Sequence, residues 1–327
     1  MRNCVFSIIM PCYNSENYVV NAIESIVKQT YPEWELIIIN DGSCDDTLKI
    51  VMNFAEKDER IKVFSKENGG YASAVNMGLD KISGDYFLFL GSDDYLAIDL
   101  LERIYEHIKD VNTFPDMIAF RTRVVNSGIV GDIDKYTRFK SVRFSNCKLK
   151  EFIKRSPQYS AIFSCRDTSK CYKRELLGQL RYFGKTGIDA DGIFSMLMSH
   201  RANSFLNVPV DGYYWNIRHD SVSANISLEK RIDIITNWKR FFVEELIENY
   251  EEEITETEKK YLRVWSRRIT ELASTTKSAI KYRRFIKENA LLCRMVAKRL
   301  QVKMPFFFNI VSRTPILFSL YCLLRKK

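Results

Sequence analysis

The first 95 residues of the chain alternate short apolar runs with amphipathic segments. Apolar runs of four to six residues are typical of buried strands, and apolar side chains spaced three or four apart are typical of helices. The pattern therefore predicts strands and helices in strict alternation. The strands are expected at 5–10, 36–39, 61–64 and 86–90, and the helices at 15–28, 43–55, 71–82 and 96–108.

Local polar residues predict where these elements begin and end. Pro11 is expected to end the first strand, because proline has no amide to donate to a sheet. Asn14 or Ser15 is expected to cap the first helix. Ser43 and Asp46, three residues apart, resemble a capping box for the second helix.

Continuous apolar strands between amphipathic helices predict an α/β fold with a mainly parallel sheet that is covered on both faces. Right-handed crossovers then place the carboxyl ends of the strands along one edge, where such sheets bind ligands. Three polar clusters follow strands and should meet at that edge. They are Tyr13-Asn14, Asp41-Gly42-Ser43 and Asp93-Asp94.

Beyond residue 95 the pattern is mixed and then becomes helical and polar. The change of composition predicts a domain boundary near 225–230. Before it we expect a strand at 117–121, helices at 149–155 and 191–200, and a pair of strands within 208–217. After it we expect helices at 229–249, 256–276 and 279–300.

The charge of the chain is concentrated at its C-terminal end. The formal net charge is +9, yet residues 278–327 carry 12 Lys/Arg and a single acidic residue, Glu288. The other 277 residues carry 38 basic and 40 acidic side chains. Basic residues without a recognition fold around them do not indicate a nucleic-acid partner.

Cysteines and apolar segments bear on the cellular compartment. The eight cysteines are scattered without a CxxC pair, and an apolar strand-like run begins almost at once, so we expect reduced thiols in a cytoplasmic protein without a signal peptide. A run of about 18 apolar residues is absent from the sequence, which disfavours a spanning helix. Three histidines are too few for a histidine-based metal cluster.

The sequence has neither GxGxxG after the first strand nor a GxxxxGK[ST] motif, so a glycine-rich phosphate loop is disfavoured. Adjacent carboxylates at a strand end offer another means of holding phosphates, through a divalent cation. Asp93 and Asp94 suit this role. The alternative is that Ser92 or Asp93 merely caps the following helix.

Four motifs in order resemble the inverting nucleotide-sugar glycosyltransferases of family 2, of the bacterial polysaccharide-biosynthesis type, which have a GT-A fold. The resemblance covers residues 4–225 and is specific for the family but not for the sugar. The motifs are SIIMPCYN (7–14), IINDGS (38–43), ENGGYASAVNMGL (67–79) and GDYFLFLGSDD (84–94).

The resemblance implies roles in binding the donor. Asp41 would hydrogen-bond its base or ribose, and the turn before residue 71 would approach its sugar and diphosphate. Asp93 would match the last Asp of the DxD signature and bind Mn²⁺ or Mg²⁺. Gly91 stands at the first position of that signature, so Asp94 or Asp41 would replace the usual ribose contact. The nucleoside pocket would be lined by Pro11, Tyr13 and Asn14.

The resemblance also implies a general base. The segment 187–192 is similar to the family's Glu-Asp motif, in which the Asp removes the proton of the acceptor hydroxyl. Asp191 aligns with that Asp, although Ala190 stands in place of the Glu. Asp189, two residues away, is the alternative base, and helix capping is compatible with either role.

The segment 213–223 resembles the end of the family's catalytic domain. There Arg218 would neutralise the departing diphosphate, because a guanidinium matches phosphate oxygens. His219 would complete the metal shell, unless it is solvated or structural. Trp215 and the neighbouring tyrosines would form either a platform for a sugar or part of the core.

The sequence as a whole predicts a GT-A domain at 1–225, with a nucleotide-sugar half at 1–95 and an acceptor half at 96–225. A helical region at 226–301 and a basic, apolar tail at 302–327 follow. The tail would either anchor the protein peripherally at the inner face of the cell membrane or pack on the body or a second subunit.

The predicted reaction transfers a hexose or N-acetylhexosamine from a nucleotide sugar, UDP-linked by preference, to a glycan hydroxyl in cell-surface polysaccharide synthesis. The acceptor would be carried on a lipid. Two alternatives stay open. One is a non-catalytic protein that binds sugar nucleotides as a scaffold, and the other is a transferase acting on polyprenyl phosphate.

Overall fold

The computed structural model describes residues 4–110, 113–126, 129–132, 142–144, 166–217, 227–250, 256–274 and 276–305, with single positions at 254, 308, 311 and 315. The chain divides into two compact units, residues 1–224 and 225–327. The helix predicted at 149–155 lies outside the described residues, as does most of the tail.

The first unit begins with strands and helices that alternate as the hydrophobic pattern predicts. The strands are β1 (Phe6–Cys12), β2 (Trp34–Asp41), β3 (Ile61–Lys66), β4 (Tyr86–Phe89), β5 (Tyr95–Leu96), β6 (Met117–Asn126), β7 (Ile129–Asp132), β8 (Val142–Phe144), β9 (Lys170–Lys173) and β10 (Phe205–Asn216). The helices are α1 (Val19–Val27), α2 (Thr47–Ala55), α3 (Tyr71–Leu79), α4 (Leu100–Ile108) and α5 (Ala190–Arg201).

These strands form a single mixed sheet in the order β3-β2-β1-β4-β9-β6-β10-β5, with β7 beside β6 and β8 beside β10. The four strands β3, β2, β1 and β4 are mutually parallel, and so are β6 and β10. Strand β9 runs antiparallel between β4 and β6 and joins the two parallel groups. The mainly parallel α/β sheet expected from the sequence is confirmed.

The expectation that Pro11 ends the first strand is wrong. Strand β1 continues to Cys12, and Pro11 pairs with Ile39 of β2. On the other side of β1, the register with β4 ends at Ile9 opposite Phe89. Beyond Ile9 the strand therefore has one neighbour only, and a residue without an amide is tolerated there.

The predicted helix caps are also wrong. Helix α1 begins at Val19 without a side-chain cap, because Ser15 bonds to Thr47 and Ser92 in neighbouring loops. Helix α2 likewise begins at Thr47, and the hydroxyl of Ser43 accepts a hydrogen bond from the amide of Asn14 instead of capping. Long-range contacts between loops replace the predicted cap at α1, and at α2 the carboxylate of Asp45 accepts the amide hydrogen bond of Thr47 in place of the predicted Ser43.

Several strands differ from the predicted pattern, and β5, β7 and β8 were not predicted. The strand pair expected within 208–217 is one strand, β10, whose register with β6 shifts twice. Strand β9 was not predicted, because its four residues, Lys170–Lys173, have lysine at both ends and form no apolar run.

The second unit is helical, as the sequence predicts. Its core contains stacked aromatic rings, with Phe242 between Trp238 and Trp265. The described part of the chain contains no helix that is long and apolar enough to cross a membrane. The elements are α6 (Leu228–Lys239), a π-helical segment (Arg240–Leu246), α7 (Ile247–Tyr250), α8 (Glu256–Ala273), α9 (Thr276–Lys281) and α10 (Arg283–Arg299).

A buried carboxylate ties β2 to the start of β4. Oε1 of Glu35 accepts hydrogen bonds from the hydroxyl of Ser7 at 2.6 Å and from the amide of Ser83 at 2.6 Å. Its Oε2 pairs with Nζ of Lys62 at 2.7 Å. Burial by itself would raise the pKa of Glu35, but these donors outweigh burial and lower the pKa to about 2.

We predict that Glu35 makes stability depend on pH. Because its pKa is lower in the folded than in the unfolded chain, its contribution is full above about pH 4.5 and is lost as the pH falls towards 2. Glu35→Gln should lower the free energy of unfolding by roughly 2–3 kcal/mol at pH 7 and flatten this acid dependence. Urea unfolding at several pH values measures both, and an unchanged acid slope would contradict the assignment.

Candidate functional site

The loops at the carboxyl ends of β1, β2 and β4 are bonded to one another. The hydroxyl of Ser15 lies 2.7 Å from that of Ser92, and its amide donates to Oγ1 of Thr47 at 2.7 Å. Oδ1 of Asn14 accepts a hydrogen bond from the amide of Cys44 at 2.9 Å. The predicted convergence of the polar clusters at one sheet edge is therefore seen directly, as contacts between side chains.

Asp41, at the end of β2, organises the turn that precedes α3. Oδ1 accepts hydrogen bonds from Nζ of Lys66 at 2.7 Å and from the amide of Gly69 at 3.0 Å. Oδ2 accepts from the amide of Gly70 at 2.9 Å. These amides are thus occupied by a carboxylate of the protein, so the turn cannot offer them to a diphosphate without releasing Asp41.

The acidic pair after β4 is not a helix cap. Helix α4 begins at Leu100 with Asp99 as its N-cap residue, so the alternative interpretation of Ser92 and Asp93 as caps is wrong. Asp93 lies half-buried at the sheet edge. This position leaves it able to face a ligand, as the DxD resemblance implies.

Asp94, in contrast, is 7% exposed and connects the end of β4 to β10. The hydroxyl of Tyr213 donates to its Oδ2, and the amide of Asn216 donates to its Oδ1 at 2.8 Å. The same tyrosine hydroxyl accepts a hydrogen bond from the amide of Gly91 at 3.1 Å. These contacts favour a structural role for Asp94 over the predicted ribose contact.

Gly91 departs from the DxD signature for a steric reason. A Cβ atom at this position would lie 2.6 Å from Oδ2 of Asp94 and 3.0 Å from Oδ1 of Asp93. Real Cβ atoms essentially never approach a neighbour to 2.6 Å. The carboxylate of Asp94 therefore occupies the space that a side chain at position 91 would need.

Asp191 lies in the first turn of α5, where the helix dipole favours negative charge. Its side chain is half-buried. Burial raises its pKa, as does the neighbouring Asp189, and together they outweigh the opposing effect of the Gly192 amide, Arg166 and Lys170. Asp189 is the left-handed residue at the N-cap position, with φ of 61°.

The charges of both acidic regions act on the side chain of Tyr71, the first residue of α3. Its ring packs directly on Gly187, whose φ of +72° and missing Cβ permit the contact. Burial raises the pKa of Tyr71 well above its usual range, and four carboxylates add to the effect. They are Asp167, Asp191, Asp94 and Asp93. The predicted metal ligand and the predicted base therefore both act on this one tyrosine.

A match to a protein-family model shows which family the chain belongs to. The model described as glycosyl transferase family 2 matches residues 7–181, which is more than half of the chain. This chain belongs to glycosyl transferase family 2.

Two named relatives illustrate the family relationship. Glycosyltransferase GlyA of Streptococcus pneumoniae is 30% identical over 223 residues, which are 66% of this chain and 31% of GlyA. The minor teichoic acid biosynthesis protein GgaB of Bacillus subtilis is 29% identical over 225 residues, which are 68% of this chain and 24% of GgaB. The chain thus spans about a third of GlyA and a quarter of GgaB.

Solved structures of S. aureus TarS share the fold. The TarS 1-349 structure superposes with a TM-score of 0.68 at 20% identity and covers 98% of this chain and 91% of its own. The same TarS segment in complex with UDP-GlcNAc gives a TM-score of 0.63, also at 20% identity, and covers 98% of this chain and 91% of its own. The GT-A fold expected from the motifs is confirmed.

The nucleoside pocket predicted for this family 2 chain contains one exposed ring. Pro11 is buried within β1, whereas Tyr13 is 50% exposed. Asn14 is left-handed, with φ of 48°, and its backbone and side chain are both bonded to the loop after β2. The loop is thus fixed while the ring of Tyr13 is available to stack on a planar base.

The aromatic segment at the end of β10 is partly core and partly surface. Tyr213 is buried, and Tyr214 stacks on Tyr95 with centroids 4.8 Å apart. Trp215 is half-buried, and the guanidinium carbon of Arg166 lies 4.6 Å from its ring centroid. Of the two interpretations of this segment, core packing applies to Tyr213. The ring of Trp215 instead contacts the guanidinium of Arg166, whose charge acts on Asp191.

Two predicted residues, Arg218 and His219, lie outside the described part of the chain. Among the residues that the structure does describe, no group of three His, Cys, Asp or Glu side chains is arranged to hold a metal ion. A Mg²⁺ ion is commonly held by one or two carboxylates together with substrate phosphates. Asp93 fits that requirement, whereas Asp94 is engaged by β10.

Sequence reasoning missed three side chains of this site. Tyr71 lies inside a quoted motif, but its position gave no chemical signal. Asp167 and Lys170 lie in a segment without periodicity or motif and are fully buried. The sequence did contain one signal for them. Asp167 and Lys170 are charged residues three positions apart, and they border the apolar residues of β9.

We predict that Gly91→Ala destabilises the protein by about 1–3 kcal/mol, because the added methyl group must displace Asp94 from Tyr213. Gly192→Ala is the matched control, since a Cβ there meets nothing within 4 Å and alanine is favoured in a helix. Thermal unfolding of both variants measures the difference. Equal melting temperatures would contradict the steric account.

Proposed function

We propose that this chain is an inverting glycosyltransferase that moves a hexose or N-acetylhexosamine from a nucleotide sugar to a glycan hydroxyl in cell-surface polysaccharide synthesis. The observation that carries the proposal is that, in addition to burial, the charges of Asp191 and Asp93 both raise the pKa of Tyr71, which indicates that the proposed base and the proposed cation ligand lie near one side chain. A donor-binding carboxylate and a base that lie near one side chain suit direct displacement at an anomeric carbon.

UDP is the proposed nucleotide. The exposed ring of Tyr13 can stack on its base, and Asp41 lies at the neighbouring strand end. A structural neighbour, TarS 1-349, is known in complex with UDP-GlcNAc. With the turn amides held by Asp41, the diphosphate needs a cation, which supports Mn²⁺ or Mg²⁺ as cofactor.

Asp93 would hold that divalent cation together with the diphosphate oxygens. The bound cation would stabilise the negative charge on the departing diphosphate. Arg218 and His219, which the sequence places after β10, would add a guanidinium to the diphosphate and a ligand to the cation.

Asp191 is the proposed general base. Its half-buried carboxylate would accept the proton of the acceptor hydroxyl as the oxygen attacks the anomeric carbon. A base must be ionised to act, so turnover should rise as the pH rises through the pKa of Asp191. Because that pKa is raised, the rise should fall above the range of an ordinary aspartate.

The proposed acceptor is a glycan carried on a lipid at the cytoplasmic face of the cell membrane. Residues 278–327 combine 12 basic side chains with apolar blocks, which suits contact with anionic lipid. A relative, GgaB, is described as a minor teichoic acid biosynthesis protein.

We predict that Asp191→Asn removes turnover and leaves UDP binding almost intact, because the base does not hold the nucleotide. UDP release from nucleotide sugars in the presence of Mn²⁺ measures turnover. The shift of the melting temperature on adding UDP measures binding. Turnover that survives in Asp191→Asn would exclude this residue as the base.

Asp93→Asn is the matched control, and it should weaken nucleotide binding, which Asp191→Asn leaves almost intact. It retains the base but weakens the cation site, so the Mn²⁺-dependent part of the thermal shift with UDP should shrink. If Asp93→Asn binds UDP and Mn²⁺ as well as the unaltered protein, the proposed metal role is wrong.

We predict that the C-terminal tail increases binding to anionic vesicles. Removing residues 302–327 takes away five Lys/Arg side chains and the terminal apolar blocks. Co-sedimentation with vesicles containing phosphatidylglycerol should therefore fall in the shortened chain, and neutral vesicles should bind both forms weakly. Equal binding of both forms to anionic vesicles would contradict a membrane role for the tail.

A further inference from the structure

One face of α3 holds the segment 181–187, which leads into α5. Residues four apart on a helix share one face, and three such residues of α3 and its C-cap contact this segment. The two stretches of chain run in opposite directions, so the partner numbers fall as the numbers on α3 rise. The contacts join Ala72 to Lys185, Asn76 to Tyr182, and Asp80 to Arg181.

Asn76 makes the central contact of this face. Its Nδ2 donates to the carbonyl of Tyr182 at 3.1 Å, and its Oδ1 accepts a hydrogen bond from the amide of Tyr182 at 2.7 Å. One side chain thus holds both backbone polar groups of a residue 106 positions later. Because both groups are satisfied, the backbone at Tyr182 is fixed in orientation as well as in position.

The ring of Tyr182 connects this fixed backbone to α5. Tyr182 is buried, and its ring stacks on that of Phe194 with centroids 4.7 Å apart and an interplanar angle of 28°. Phe194 lies in α5, three residues after Asp191, so the two side chains are neighbours on the helix surface. A shift of Tyr182 would therefore displace the first turn of α5, which carries Asp191.

The start of α5 is held by α3 at a second place. The amide of Ala72 donates to the carbonyl of Lys185 at 3.3 Å, and the ring of Tyr71 packs on Gly187. The carbonyl of Gly187 in turn accepts a hydrogen bond from the amide of Ala190, the first residue of α5, at 3.0 Å. The path of contacts from α3 to the first turn of α5 is therefore continuous.

We propose that Asn76 is a positioning residue, which holds Tyr182 against Phe194 and thereby places the carboxylate of Asp191 at the acceptor hydroxyl. The inference rests on the proposed function, in which Asp191 is the base. In this role Asn76 contacts neither substrate and carries no proton.

The turn on the donor side is held independently of Asn76. The amides of Gly69 and Gly70 donate to the carboxylate of Asp41, which belongs to β2. Loss of the Asn76 contacts should therefore leave this turn in place. The effect of substituting Asn76 should appear in kcat and not in donor binding.

Asn76→Ala removes both hydrogen bonds to Tyr182. We expect kcat for UDP release from UDP-GlcNAc with Mn²⁺ to fall about ten- to a hundredfold, because a small misplacement of a reacting group has an effect of this size. KM for UDP-GlcNAc should stay within about twofold, because the donor side is unchanged.

Asp80→Ala is the matched control. It removes a contact between the same helix and the same segment, but the side chain of Asp80 is 57% exposed and its ion pair with Arg181 lies at the surface. Exposed ion pairs contribute little, so kcat of Asp80→Ala should stay within about twofold.

Hydrogen exchange locates the effect without reference to turnover. Peptides that cover residues 181–194 should exchange faster in Asn76→Ala than in the unaltered protein, and peptides that cover the turn at 67–71 should not change. Faster exchange in both regions would show general destabilisation and would contradict a positioning role.

Tyr182→Leu tests the path through the ring. It keeps the backbone groups that bond to Asn76 but removes the ring that stacks on Phe194, so it should reproduce the loss of kcat with KM preserved. Normal kcat in Tyr182→Leu would overturn the inference, which keeps the test valid if Asn76→Ala does not fold. Normal kcat in folded Asn76→Ala, a loss confined to KM, or an equal loss in Asp80→Ala would overturn it as well.

Asp191→Asn distinguishes this inference from the proposed function. If Asp191→Asn turns over normally, the assignment of the base fails and Asn76 has no base to position. If Asp191→Asn is inactive while Asn76→Ala keeps normal kcat, the base assignment stands and only the role of Asn76 is wrong.

Discussion

The site depends on the carboxylate of Asp41 and the turn that it holds. By accepting hydrogen bonds from the amides of Gly69 and Gly70, Asp41 determines where α3 begins. Tyr71 is the first residue of that helix, and the charges of four carboxylates act on it. The hydrogen bonds that Tyr213 and Asn216 donate to Asp94 connect the end of β4 to β10. Buried polar groups whose hydrogen bonds are satisfied favour a single arrangement of the loops that carry them.

The acidic residues of the sheet edge divide between structure and chemistry. Asp41 and Asp94 are buried and accept hydrogen bonds from donors of the protein, whereas Asp93 and Asp191 are half-buried. This division explains why Gly91 is tolerated in a DxD-like segment, since Asp94 takes the adjoining space.

The sequence predicted the family, the fold class and the order of elements up to β4, because buried parallel strands form continuous apolar runs. It mispredicted the caps, since Ser15 and Ser43 bond to residues in loops about 30 or more positions away. It missed β9 and Asp167 because neither forms part of an apolar period or a motif. Tertiary contacts decided each of these features, and local pattern cannot reveal them.

The central claim is that a nucleotide sugar binds with its anomeric carbon between Asp93 and Asp191, beside Tyr71. A crystal structure of the protein with UDP-GlcNAc and Mn²⁺ tests this most directly. The account predicts the uracil on Tyr13, the cation on Asp93, and the carboxylate of Asp191 facing the anomeric carbon from the side opposite the diphosphate. A donor bound away from the carboxyl edge of the sheet, or with its diphosphate towards Asp191, would contradict it.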